Sequence, residues 1–107
     1  MTILMEQYDQ TCSEFPQAIV LMRVGDFFEA YGETAKLLAE TFGLTLTERD
    51  GMPMAGIPHH MAEKRVAQLV ASGRQVILME QSEDPRGKAS GDIAQHIAQF
   101  NPDPSAS

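Results

Sequence analysis

The apolar positions of this 107-residue chain change period several times, and each change marks an element. Leu4, Tyr8, Cys12 and Phe15 recur at i, i+4, i+8 and i+11, which predicts an amphipathic helix opened by Thr2 as N-cap and ended by Pro16. Ala18-Ile19-Val20-Leu21-Met22 is a continuous apolar run rich in strand formers and too short for a helix. It predicts a strand buried on both faces, at the centre of a sheet. After Gly25-Asp26 a second short strand follows over Phe27-Phe28-Glu29-Ala30-Tyr31. Helical period returns from Glu33 to Phe42, with Ala35, Leu38, Ala39 and Phe42 on one face and Gly43 as the C-terminal cap. Leu44-Thr45-Leu46-Thr47 alternates as a half-wet strand does, and Asp50-Gly51 is a turn signal.

Met52 to Pro58 carries two prolines and a glycine, and is expected to be an ordered loop or a short extended segment. From Met61 the helical period runs through Ala62, Val66, Leu69 and Val70 until Gly73, and Val76-Ile77-Leu78-Met79 is the second apolar strand. This alternation predicts an α/β (α+β) fold, a mixed β-sheet flanked by helices. Beyond Gln81 the composition shifts to Ser, Asp, Pro, Gly and Lys. There Ile93, Ile97 and Phe100 stand at i, i+4 and i+7 behind Ser90, which predicts a short capped helix before a frayed end over 101–107. The chain is thus divided into a domain over 1–85 and a tail over 86–107.

Composition narrows the function. With 43% hydrophobic and 21% charged residues the chain suits one globular domain with a modest core. The lone Cys12 excludes an internal disulfide and points to a reducing compartment. No apolar run approaches the ~20 residues that span a bilayer, and Glu6 and Asp9 stand where a signal peptide would be basic. A cytoplasmic protein without membrane contact is expected. His59-His60 lacks a third ligand at a useful spacing, so no metal is expected. No catalytic triad, Cys-His pair, paired carboxylates or phosphate-cradling glycine loop emerges, so neither an enzyme nor a cofactor is expected. Fifteen acidic against eight basic residues give a net charge of −7, opposite in sign to a free-standing DNA binder.

Three blocks nevertheless stand in a specific order: Arg23-Val24-Gly25-Asp26-Phe27-Phe28-Glu29, then Pro53-Met54-Ala55-Gly56-Ile57-Pro58-His59-His60, then Glu80-Gln81 with Asp84-Pro85. In this order and spacing the chain, from about Leu4 to Pro85, resembles the amino-terminal, mismatch-recognition domain of the MutS family of DNA mismatch-repair proteins. The resemblance implies a Phe-x-Glu reading element, carried by Phe27 and Glu29. Its phenylalanine enters the minor groove and stacks on a mispaired base, while the glutamate hydrogen-bonds to that base. Such a wedge must offset the few kcal/mol that unstacking costs, and mispaired bases are the cheaper ones to displace. A carboxylate facing a polyanion is repelled unless it is protonated or bonded to a base edge, so Glu29 would penalise ordinary duplex. Gly25 would let the backbone turn before the wedge, Asp26 completes that reading block, and Arg23 would contact phosphate, as would Lys64, Arg65 and Arg74. The partner implied is mispaired or distorted duplex DNA.

Read without the family pattern, Phe27 and Phe28 would both be core aromatics and Glu29 a solvated strand residue. With it, strand alternation places Phe28 in the core and frees Phe27. The Pro53–Pro58 segment is expected to buttress the reading edge by packing. MutS proteins are many times longer, and neither their phosphate-binding loop nor their basic clamp is legible in this chain. A single wedge and one acidic contact imply weak affinity, in or above the roughly 10⁻⁴ to 10⁻⁶ M range of non-specific binding. A protein partner, or a second copy of the chain, would then assist. The rival reading is a protein-interaction or regulatory module that kept the fold without autonomous DNA binding, which the acidic charge and the altered tail favour. Single-strand binding by stacking has only a thin platform in Phe27, Phe28 and Tyr31.

Overall fold

The structure, a computed structural model, describes residues 3–82 and 94–102. Thr2, Asp84-Pro85, Ser90 and Ile93, which the sequence singled out, lie outside the described residues. Helix α1 (Ile3–Glu14) leads into β1 (Ile19–Val24), which turns back as β2 (Phe27–Tyr31). Helix α2 (Gly32–Phe42), β3 (Thr47–Arg49), β4 (Met52–Pro58), α3 (His59–Ala71), β5 (Val76–Ser82) and β6 (Ala94–Phe100) follow. The strands form one sheet in the order β3-β4-β2-β1-β5-β6. Only β1 and β5 pair in parallel among the described strands, and the other four pairings are antiparallel, so the sheet is mixed, as the sequence predicts.

The two apolar runs occupy the middle of that sheet because both of their faces are covered. Ile19, Leu21 and Val76 face α2 and α3, where they meet Leu38, Val66 and Leu69. Val20, Met22, Ile77 and Met79 face α1, where they meet Met5 and Tyr8. Period-two alternation therefore splits each strand between two cores, and continuous hydrophobicity is what that requires. Helix α2 ends as expected: Gly43 takes φ +67°, and its N–H returns to the Ala39 carbonyl.

Two expectations are corrected and one open alternative is decided. Residues 94–100 form strand β6 along β5, not a helix. Ile97 pairs with Met79 and Phe100 with Val76, which belong to opposite faces of the sheet. Their spacing of three residues thus mimics a helical step. Residues 52–58, left open as an ordered loop or a short extended segment, take the extended form as a full inner strand. Its prolines fit because β3 pairs only with 52–54 and β2 only with 54–58, so Pro53 and Pro58 each face one neighbouring strand. The strand expected over 44–47 begins only at Thr47, while Leu44 instead packs against the core under α2 and α3. Among the described residues no helix is long and apolar enough to cross a membrane.

Candidate nucleic-acid interface

The β1–β2 hairpin reverses through two residues, Gly25 and Asp26, between the paired Val24 and Phe27. Gly25 takes φ +59°, a left-handed conformation that costs a residue with a Cβ about 1–2 kcal/mol. Asp26 stays outside that region, and its backbone carbonyl accepts the His59 N–H at 2.7 Å, where α3 begins. The hairpin tip is thereby fastened to a helix start whose first N–H groups have no partner within the helix.

From this turn the pleat separates the two phenylalanines. Phe28 is 2% exposed among Ile57, Ala62 and Val66, with the His59 ring stacked 5.9 Å away. Phe27 is 44% exposed on the other face. Its ring lies over Gly56 of β4, where a Cβ would come within 3.4 to 3.6 Å of the Phe27 side chain. The absent side chain at Gly56 gives the ring a flat shelf. Around it opens a shallow hollow of ≈ 430 Å³ lined by Phe27, Glu29, Thr47, Met54, Gly56 and Pro58.

Glu29 shares this face, two residues along the strand, and pairs with Gly56 in register. The solvated residue expected from the strand alone is not found: Glu29 is 5% exposed, and both of its oxygens are engaged. The Tyr31 hydroxyl donates to Oε1 at 2.5 Å, and Arg49 Nη2 of β3 donates to Oε2 at 3.1 Å. Burial, and next the hydrogen bond to Glu29, hold the Tyr31 hydroxyl well above the usual phenol range, so it remains a donor. The Tyr31 ring meets Tyr8 edge-on at 5.0 Å. Tyr8 donates to the Val20 carbonyl and accepts the Tyr31 N–H, and burial raises its hydroxyl likewise. Helix α1 thus anchors the strand that carries the carboxylate.

The structure brings Phe27 and Glu29 to one face and Gly25 and Asp26 to the turn beside them. It does not bring Arg23 there. Arg23 pairs with Phe28 across the hairpin, so it belongs to the face of α2 and α3. Its Nε donates to the Gly25 carbonyl at 3.2 Å, and its Nη1 lies 3.7 Å from Glu80. Arg65 and Arg74 border a separate hollow beside Phe42, with the Arg65 guanidinium 4.8 Å from that ring centre. His59 and His60 open α3, and among the described residues no cluster of three metal-ligating side chains forms. Sequence reasoning missed Tyr31, Arg49 and Gly56 as parts of the site. Tyr31 was within reach, since it stands two residues after Glu29 on the same strand face. Arg49 becomes a neighbour only once β3, β4 and β2 are known to be adjacent.

The family model described as MutS domain I matches residues 2–101. The chain belongs to the MutS domain I family. That match runs through β6. Among curated relatives, a DNA mismatch repair protein MutS of Salinibacter ruber is 43% identical over 88 residues, covering 78% of this chain and 10% of that protein. The MutS of Methanothrix thermoacetophila is 39% identical over 103 residues, covering 91% of this chain and 12% of its own length. That of Leuconostoc mesenteroides is 41% identical over 104 residues, covering 90% and 12%. The chain therefore spans about a tenth of the length of these MutS relatives.

Proposed function

We propose that this MutS domain I chain is a non-catalytic DNA-binding module that recognises mispaired or distorted duplex in the cytoplasm. Phe27 acts as the wedge, and Glu29 as the group that contacts the displaced base. The observation that carries the reading is the exposed Phe27 ring on its Gly56 shelf, beside a carboxylate, while its neighbour Phe28 is sealed in the core. An aromatic ring in this position supplies stacking surface to a base step that a mispair has already loosened, so the preference arises in the DNA's own deformability. The relatives named as DNA mismatch repair proteins support the same reading. Isolated affinity is weak, because a chain of net charge −7 releases few counterions from the duplex. Fluorescence titration of matched and mispaired duplexes at low salt tests it. The mispaired duplex binds more tightly, and Phe27→Ala removes the difference without lowering the melting temperature. Equal binding of both duplexes by the unmodified chain ends the proposal.

A second reading, a protein-interaction module, is favoured by a different feature. Between α3 and the β5–β6 edge lies a groove of ≈ 770 Å³ lined by Val66, Val70, Leu78 and Phe100, with Glu63 and Glu80 also on its walls. Size-exclusion chromatography separates the two readings. A stoichiometric protein complex that retains no DNA supports the second.

A further inference from the structure

Glu29 presents a problem that the wedge reading leaves open. A carboxylate held at the floor of a DNA-facing hollow repels every phosphate that approaches it, mispaired or not. It is also nearly out of water, where an unpaired charge is costly. Both difficulties are met by the same two side chains. Arg49 reaches across β4 from the outer strand β3 and places Nη2 3.1 Å from Oε2, so the pair carries no net charge. Tyr31 holds Oε1 from within β2. Each carboxylate oxygen can accept more than one hydrogen bond, so the two donors fix the direction of the group and leave acceptor capacity for a base. The Arg49 side chain is 44% exposed and that of Glu29 only 6%, so the cation stands between the carboxylate and solvent.

We infer that Arg49 and Tyr31 are positioning residues for mismatch recognition: they neutralise and aim the Glu29 carboxylate, and Arg49 acts through Glu29 and not through phosphate. This inference rests on the function proposed above and adds the means by which an acidic group is made compatible with a polyanionic ligand. The sequence does not bring Arg49 to Glu29, because it stands twenty positions away and on another strand. A phosphate-binding arginine and a carboxylate-positioning arginine give opposite signatures. The first acts independently of Glu29, lowers affinity for matched and mispaired duplex alike and reduces the salt slope by about one. The second loses its effect once the carboxylate is gone.

A double-mutant cycle on the 107-residue chain, read as the ratio of mispaired to matched duplex affinity at low salt, decides between them. Arg49→Gln and Glu29→Gln are each expected to bring the ratio close to one, and the combined variant to be no worse than Glu29→Gln alone. Arg49→Lys keeps the charge but loses the planar fork, so part of the ratio returns. Tyr31→Phe keeps the ring against Tyr8 and removes only the hydroxyl. It is expected to lower the ratio severalfold in a chain whose circular dichroism is unchanged, which keeps the inference testable should Arg49→Gln fail to fold. If Phe27→Ala abolishes the ratio while Arg49→Gln and Tyr31→Phe leave it intact, the inference is overturned and the proposed function stands. Independent losses in the Arg49 and Glu29 variants overturn it as well. Should Phe27→Ala and Glu29→Gln both leave the ratio unchanged, the function itself is withdrawn, and the inference with it.

Discussion

Phe27 and Phe28 are the same residue type in adjacent positions, and the pleat alone gives them different roles. Alternation across a strand says that one of them faces away from the other, but which one is exposed was legible only with the family pattern, since without it both read as core aromatics. The seat under Phe27 was not legible, since the segment holding Gly56 stays open between loop and strand until β4 is seen to pair with β2. That seat sets a prediction at this scale. Gly56→Val adds branched methyl groups at a position where even a Cβ stands 3.4 Å from the ring, so the ring must leave its shelf. The ratio of mispaired to matched binding is expected to fall, with the melting temperature changing by only a few degrees. Gly56→Ala, which only touches the ring, is expected to keep most of the ratio. Thermal melts run beside the titrations separate displacement of the ring from loss of the fold.

Among the elements, those with an undivided role were readable. Helices α2 and α3 each show one apolar stripe, and β1 and β5 are continuously apolar over 19–22 and 76–79, where both faces of the sheet are covered. The failures have one physical source, namely strands whose pattern depends on neighbours far away in the chain. β3 is exposed at all three positions, β4 carries prolines at places where a partner strand is missing on one side, and β6 divides its apolar residues between two faces. β6 matters to the stability of the whole sheet, because it covers the long edge of β5 from Val76 to Ser82. A chain ending at Ile93 is therefore expected to melt at least 5 °C lower and to associate on warming, as an uncovered apolar edge pairs with other chains. Circular dichroism and light scattering measure the two effects.

For the molecule as a whole, α1 is joined to the sheet through two buried phenols, and this makes stability fall in alkali. The folded-state pKa values of Tyr8 and Tyr31 both lie above the ordinary value of 10.0. The folded chain therefore holds these protons more tightly than the unfolded chain. Their contribution is fully present below about pH 10 and is lost as pH rises above it, since ionisation then favours the unfolded state. Denaturant midpoints are expected to drop steeply above that pH. In Tyr8→Phe the drop is smaller, which urea titrations at a series of pH values would detect.

The fastening of the hairpin tip to α3 has a consequence for recognition. A loose loop would have to surrender the freedom of each of its residues on meeting DNA, at about 1–2 kcal/mol per residue, on top of the energy needed to open the base stack. Here the 2.7 Å bond from the His59 amide to the Asp26 carbonyl already restrains the tip in the folded chain. On the function proposed above, preorganisation of this kind would leave most of the available binding energy for deforming the duplex rather than for ordering the protein.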